Sequence, residues 1–101
     1  MVVRIFRSTP RLDRIKDYEK VLIEEAVQSV RKAKGCKGVK ILKSLGVVRE
    51  VIIVTFWDNL ESIRAYCGQN YHSPVLVGGE QDMIEGDAEV QHYHEIYSSD
   101  F

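Results

Sequence analysis

The sequence predicts an α+β domain of the ferredoxin-like kind, ordered β-α-β-β-α-β, with a four-stranded antiparallel sheet and both helices on one face. Two patterns carry that expectation. Segments of strand period and helix period follow one another in this order along the chain. The segment at 50–57 is also apolar on both of its sides, which a sheet with one wet face does not tolerate. A length of 101 residues suits one core, so residues 1–101 are expected to form a single domain. Helices cover only one face of such a sheet. The other is expected to pack against a second copy through a two-fold, self-complementary interface, making a homodimer with a shared barrel.

Residues 2–8 alternate as a strand, with Val3 and Ile5 on one side and Val2, Arg4, Phe6 and Ser8 on the other. Thr9-Pro10 ends it. Asp13 is the candidate N-cap of a helix over 13–34, whose buried face is Ile15, Tyr18, Leu22, Ala26 and Val30, and Gly35 stops it. Residues 39–45 read as a half-buried strand, and the short link 46–49 makes a hairpin into the strand at 50–57. Asp58 with Glu61 resembles a capping box, opening a second helix with Leu60, Ile63 and Tyr66 or Cys67 inward and Gly68 at its end. Residues 69–86 contain Pro74 and the pair Gly78-Gly79, and read as a loop with a helical turn near 80–84. Residues 87–98 alternate as the last strand, with Val90, His92, His94 and Ile96 on one side.

Fourteen basic and fifteen acidic residues are spread along the chain and leave a net charge of −1, so nucleic acid and anionic membranes are not expected partners. Lys and Arg at 31–34 complement a helix C-terminus. The start, Met1 to Arg7, carries charges and no apolar run suited to a signal peptide or a membrane span. The two cysteines, Cys36 and Cys67, lack C-x-x-C spacing; free thiols in a cytoplasmic protein are the expectation.

In this order the elements carry four stretches: Lys34-Gly35-Cys36-Lys37-Gly38-Val39, Thr55-Phe56-Trp57-Asp58, the helix from Leu60 to Gly68, and Val90-Gln91-His92-Tyr93-His94-Glu95. With them the chain resembles the antibiotic-biosynthesis-monooxygenase-like family of dimeric α/β barrels, over nearly its whole length. The resemblance implies a range of activities: cofactor-independent oxygenases of aromatic polyketides, haem-degrading enzymes and signal-processing proteins. The haem-degrading branch looks for an Asn on strand one, a Trp in the second helix and a His shortly beyond. Here strand one offers Arg4 and Arg7, the helix offers Tyr66, and His72 lies further out in the loop, so no cofactor is expected and haem is disfavoured.

His92 and His94 share a strand face and, with an unperturbed pKa of about 6.5, suit acid–base work near neutrality; either also suits a hydrogen-bonded place in a pocket wall or dimer seam. Neither H-E-x-x-H nor a Cys pair supports a metal. Trp57 ends the buried strand as core or substrate wall. Tyr66, Tyr71 and His72 stand at a helix end and in a loop, where a phenol and an imidazole can hold a phenolic ligand. Arg4 shares a face with Phe6 and needs an anion or carbonyl, supplied by Glu50, Glu89 or Glu95, or by an acidic ligand.

Neither G-x-G-x-x-G, a P-loop nor G-x-S-x-G occurs, so nucleotide cofactors and serine hydrolysis have no foothold. The expected function is a cofactor-independent monooxygenase acting on a small phenol or quinol between helices and sheet. His92, His72 and Tyr66 are the candidate catalytic residues, and Trp57, Arg4, Phe6 and Tyr71 the candidate substrate-binding ones. The alternative is a non-catalytic ligand-binding or interaction module on the same dimer scaffold.

Overall fold

The computed structural model describes residues 1–101. Strands β1 (Val2–Pro10), β2 (Cys36–Lys43), β3 (Val51–Trp57) and β4 (Ile84–His94) form one sheet in the order β2-β3-β1-β4. Every neighbouring pair is antiparallel. Helix α1 occupies residues 15–31 and helix α2 is Leu60–Cys67. This is the ferredoxin-like α+β arrangement with β1 and β3 at the centre. No helix is long and apolar enough to cross a membrane.

Alternation along β1 decides what faces the helices. Val2, Arg4, Phe6, Ser8 and Pro10 are buried, while the intervening residues are half-buried on the opposite side. The strand runs to Pro10, two residues further than its alternation predicts, because a register shift between Arg7 and Thr9 lets Thr9 and Pro10 pair with Glu85 and Ile84. The last strand begins earlier than expected and stops at His94, not at 98. Its partner β1 starts at Val2, opposite His94, so beyond Glu95, whose N–H reaches the Met1 carbonyl at 3.0 Å, no ladder remains. Strand β2 likewise starts at Cys36, where a bulge near Lys37 extends the pairing with β3.

Helix α1 contains a π-helical stretch, Leu22–Ala26, between α-helical Ile15–Val21 and Val27–Arg31. The apolar residues Tyr18, Leu22, Ala26 and Val30 recur every four positions, and a 3.6-residue turn would carry each about 40° further round the helix. One wider turn, in which the Val27 N–H donates to the Leu22 carbonyl, absorbs part of that drift. Tyr18 and Leu22 are fully buried. Asp13 does not cap the helix; it lies in a 3-10 turn, Leu12–Arg14, and pairs with Arg11 at 3.6 Å. For α2 the cap is Asn59, whose Oδ1 accepts from the Ser62 N–H at 2.9 Å. Asp58, the expected cap, instead meets Lys37 at 3.5 Å.

Between helices and sheet, Phe6, Tyr18, Leu22, Val51, Met83, Ile84 and Ala88 form one buried cluster, and Val2, Trp57 and Ile63 a second. A polar chain crosses the first. Ser8 donates to the Tyr18 hydroxyl at 2.6 Å, and Tyr18 donates to Glu80 Oε2 at 2.9 Å. Glu80 Oε1 accepts the Val77 N–H at 3.2 Å, so this buried carboxylate ties β1, α1 and the loop before β4 together. The other face of the sheet carries Val3, Ile5, Leu42, Ile52, Val54, Phe56 and Tyr93, and no element of the chain covers it.

Gly35 joins α1 to β2 at φ +90°, and its carbonyl accepts the Asp58 N–H at 2.9 Å. A Cβ there would fall 2.2 Å from Ser62 Oγ and 2.6 Å from Ser62 Cβ. Gly35→Ala is therefore expected to cost roughly 1–3 kcal/mol, or about 4–8 °C in Tm for each kcal/mol. Thermal denaturation of this variant beside Gly35→Ala/Ser62→Gly checks it; the double variant should recover part of the loss.

Candidate functional site

Three neighbouring strands place the site. On the helix-covered face, Arg4 of β1 stands opposite Thr55 of β3 and His92 of β4, while Phe6 stands opposite Ile53 and Val90. Above them a cavity of about 50 Å³ is walled by Phe6, Trp57, Tyr66 and aliphatic side chains, with Arg4 and Thr55 as its polar members. Val75 and Val77 of the loop after α2 line it on the loop side. The space admits one or two waters, since a water's share of the liquid is about 30 Å³.

Each polar wall residue makes hydrogen bonds within the protein. The Trp57 indole N–H donates to Thr55 Oγ1 at 2.8 Å, and its ring lies 5.5 Å from that of Tyr66. The Tyr66 hydroxyl shares a 2.6 Å hydrogen bond with Ser29 of α1. Arg4 is 5% exposed. Its Nη1 donates to the Tyr71 carbonyl at 2.6 Å and to His92 Nε2 at 2.9 Å, and its Nη2 donates to the Ser73 carbonyl at 3.2 Å. None of the expected carboxylates reaches it. Glu50 pairs with Arg7 at 3.3 Å, Glu89 lies opposite Arg7 on the uncovered face, and Glu95 lies beyond the end of β4.

Outside Arg4 the rings of Tyr71, His72 and His92 gather, with centroids 4.1 Å apart for Tyr71–His72, 5.2 Å for Tyr71–His92 and 5.9 Å for His72–His92. Arg64 lies over the Tyr71 ring at 5.3 Å. Tyr71, His72 and His92 line a shallow groove with His94 and Tyr93. The candidate residues thus fall into two compartments. Arg4, Phe6, Trp57 and Tyr66 line the cavity, Tyr71, His72 and His92 its outer side, and the Arg4 guanidinium joins them. His92 and His94 both face the helices rather than the uncovered side.

Burial, then the positive Arg4, then His72 push the His92 imidazole down to about 4. A guanidinium only donates, so Nε2 accepts and the ring proton sits on Nδ1. His92 is therefore a neutral acceptor for Arg4 at pH 7 and a weak base. Burial also lowers the Arg4 pKa and raises that of Cys67, with Arg4 partly opposing the latter, and burial raises Cys36. Neither thiol is a ready nucleophile. No three His, Cys, Asp or Glu side chains gather as a metal site.

Sequence reading missed Ser29, Glu80 and the two carbonyls on Arg4. Ser29 follows by helical spacing from Leu22 and Ala26, whereas a backbone carbonyl carries no mark in the sequence.

The model of the family described as antibiotic biosynthesis monooxygenase matches residues 1–74. No curated protein sequence matches the chain. Among solved structures, the haem degrader MhuD of Mycobacterium tuberculosis, with two haems in its active site, superposes with a TM-score of 0.76 at 16% identity, covering 99% of this chain and 100% of that one. SnoaB, a cofactor-independent oxygenase of Streptomyces nogalater, gives 0.75 at 11% identity over 96% and 94% of the two chains. A conserved protein of Methanosarcina mazei gives 0.69 at 10% identity over 94% and 93%. At these identities the likeness is one of fold.

The folded pKa of His92 lies below its unfolded value, so the unfolded chain binds more protons between the two and stability falls as pH drops from about 6.5 towards 4. An NMR titration should place the His92 midpoint near 4, and His92→Gln, which still offers Arg4 an acceptor, should remove that part of the acid slope. A midpoint at the ordinary imidazole value would sink the assignment.

Proposed function

Because the chain belongs to the antibiotic biosynthesis monooxygenase family, we propose that it is a cofactor-independent monooxygenase of a small phenol- or quinol-type aromatic. The observation that carries this reading is the cavity between helices and sheet, walled by Phe6, Trp57 and Tyr66 around a single buried guanidinium. Aromatic walls take a flat ligand by offset or edge contact. Arg4 holds its oxygen and favours the anion, and Tyr71 stands at the rim. His92 positions Arg4. His72, exposed and without a hydrogen bond, is the imidazole left to take the proton of a ligand entering past residues 71–73.

The substrate supplies the electrons. Its anion passes one electron to dioxygen, the radical pair joins at carbon, and the hydroperoxide loses water to leave a carbonyl. The balance is RH2 + O2 → R=O + H2O. An apolar cavity, a base and a cation suffice for this. Haem iron is usually held by His, Cys, Met or Tyr. The cavity lining contains neither His, Cys nor Met, Tyr66 is engaged by Ser29, and His92 Nε2 by Arg4, so these residues do not fit a haem and no step is drawn through one.

The small volume, about 50 Å³ against the roughly 300–1,000 Å³ of ordinary ligand pockets, favours a second reading. If the loop carrying Val75 and Val77 never yields, the domain is a non-catalytic module. An oxygen electrode separates the two. Anthrones and quinols should give uptake that falls roughly 10²–10⁴-fold in His72→Ala, and silence across the panel supports the module.

The uncovered face, with Val3, Ile5, Ile52, Val54 and Phe56 at its centre, suits a second copy of the chain. Light scattering is expected to give twice the 11.6 kDa of one chain, and Val54→Lys to halve it. A wild-type monomer at micromolar concentration would refute the homodimer.

A further inference from the structure

Arg4 differs from every other arginine of the chain. Arg7, Arg11, Arg14, Arg49 and Arg64 each pair with a carboxylate, and Arg31 is exposed to water. Arg4 alone is buried, and no acidic side chain faces it. Its three acceptors, two carbonyls and a histidine nitrogen, are neutral. The other buried ion-forming group, Glu80, is committed to Tyr18 and Val77. The chain therefore holds a desolvated positive charge with dipoles around it and no counter-charge, which is costly unless an anion completes the shell.

The donor inventory says where that anion would sit. A guanidinium has five N–H donors. Nη1 uses both of its own and Nη2 uses one, so Nε–H and one Nη2–H have no protein acceptor. Nε and Nη2 share one edge of the planar group, the edge that grips a carboxylate through two parallel hydrogen bonds. Arg4 lines the cavity, and the rest of the lining is apolar except for Thr55, whose hydroxyl already serves Trp57. The shape calls for one anionic end and an aromatic body.

We propose that Arg4 is a carboxylate-binding site and that the ligand of this cavity is an aromatic carboxylate, its ring against Phe6, Trp57 and Tyr66. The inference rests on the reading of the cavity as an aromatic site and narrows its substrate class. It also gives the loop a reason to move. A carboxylate on the free edge that draws the guanidinium towards itself lengthens the bonds to the Tyr71 and Ser73 carbonyls and weakens their hold on the loop over the cavity.

Calorimetric titration with 1-hydroxy-2-naphthoate and with the neutral 1-hydroxy-2-naphthamide tests this without any variant. The acid is expected to bind at least roughly tenfold more tightly than the amide, the effect of a two-pronged charge-assisted contact. In Arg4→Lys, which keeps the charge but loses the fork, the acid should lose most of that advantage while the amide binds as before. Equal affinities for acid and amide overturn the carboxylate proposal and leave the aromatic site standing. Binding of neither overturns both. If Arg4→Lys does not fold, the wild-type ratio decides; if it folds and keeps the full preference for the acid, Arg4 is not the site.

Discussion

A guanidinium on the inner face of the central strand has to be solvated by something other than water, and the site is organised around how that happens. Arg4 draws the carbonyls of Tyr71 and Ser73 and the imidazole of His92 onto itself, so β1, β4 and the loop after α2 become one unit. Removing one partner of a buried charge costs more than forming the pair gains, so the four groups stand or fall together. The electrical consequence reaches His92, which stays neutral because a proton there would face both burial and the neighbouring cation.

The far end of the same loop hangs on a buried group of the opposite kind. Glu80 receives the Tyr18 hydroxyl and the Val77 N–H, and burial raises its pKa despite both bonds. The folded form then binds the proton more tightly than the unfolded one. Its effect on stability is favourable below the ordinary carboxyl range and is lost as pH rises through the folded value. His92 acts in the opposite sense, losing stability as pH falls. The loop over the cavity is thus pinned by a cation at residues 71–73 and by a carboxyl at 77, and the valines that line the cavity lie at and between these pins.

Fold and chemistry separate cleanly in this protein. The fold is shared with an oxygenase and with a haem degrader at nearly equal TM-scores, so the sheet and helices carry no choice between them. The choice rests on a few side chains: an Arg where strand one enters the cavity, a Tyr in α2 bound to Ser29, and imidazoles outside the apolar walls rather than within them.

Element order, the inward face of β1 and the doubly apolar β3 are legible in the residues alone, because side-chain period is a local property of a pleated or helical chain. The sequence also brought Arg4, Phe6, Trp57 and Tyr66 forward as candidates, and these four meet in one cavity. Strand ends were legible only in part, since β4 stops where β1 offers no further partner, a fact of pairing and not of residue type. The partner of Arg4 was decided by tertiary structure alone. The sequence offers Glu50, Glu89 and Glu95, but strand alternation turns Glu89 to the other face, and the acceptors are His92 and two backbone carbonyls 67 and 69 residues away. Every residue has a carbonyl, so only the fold could say which two would hold the charge.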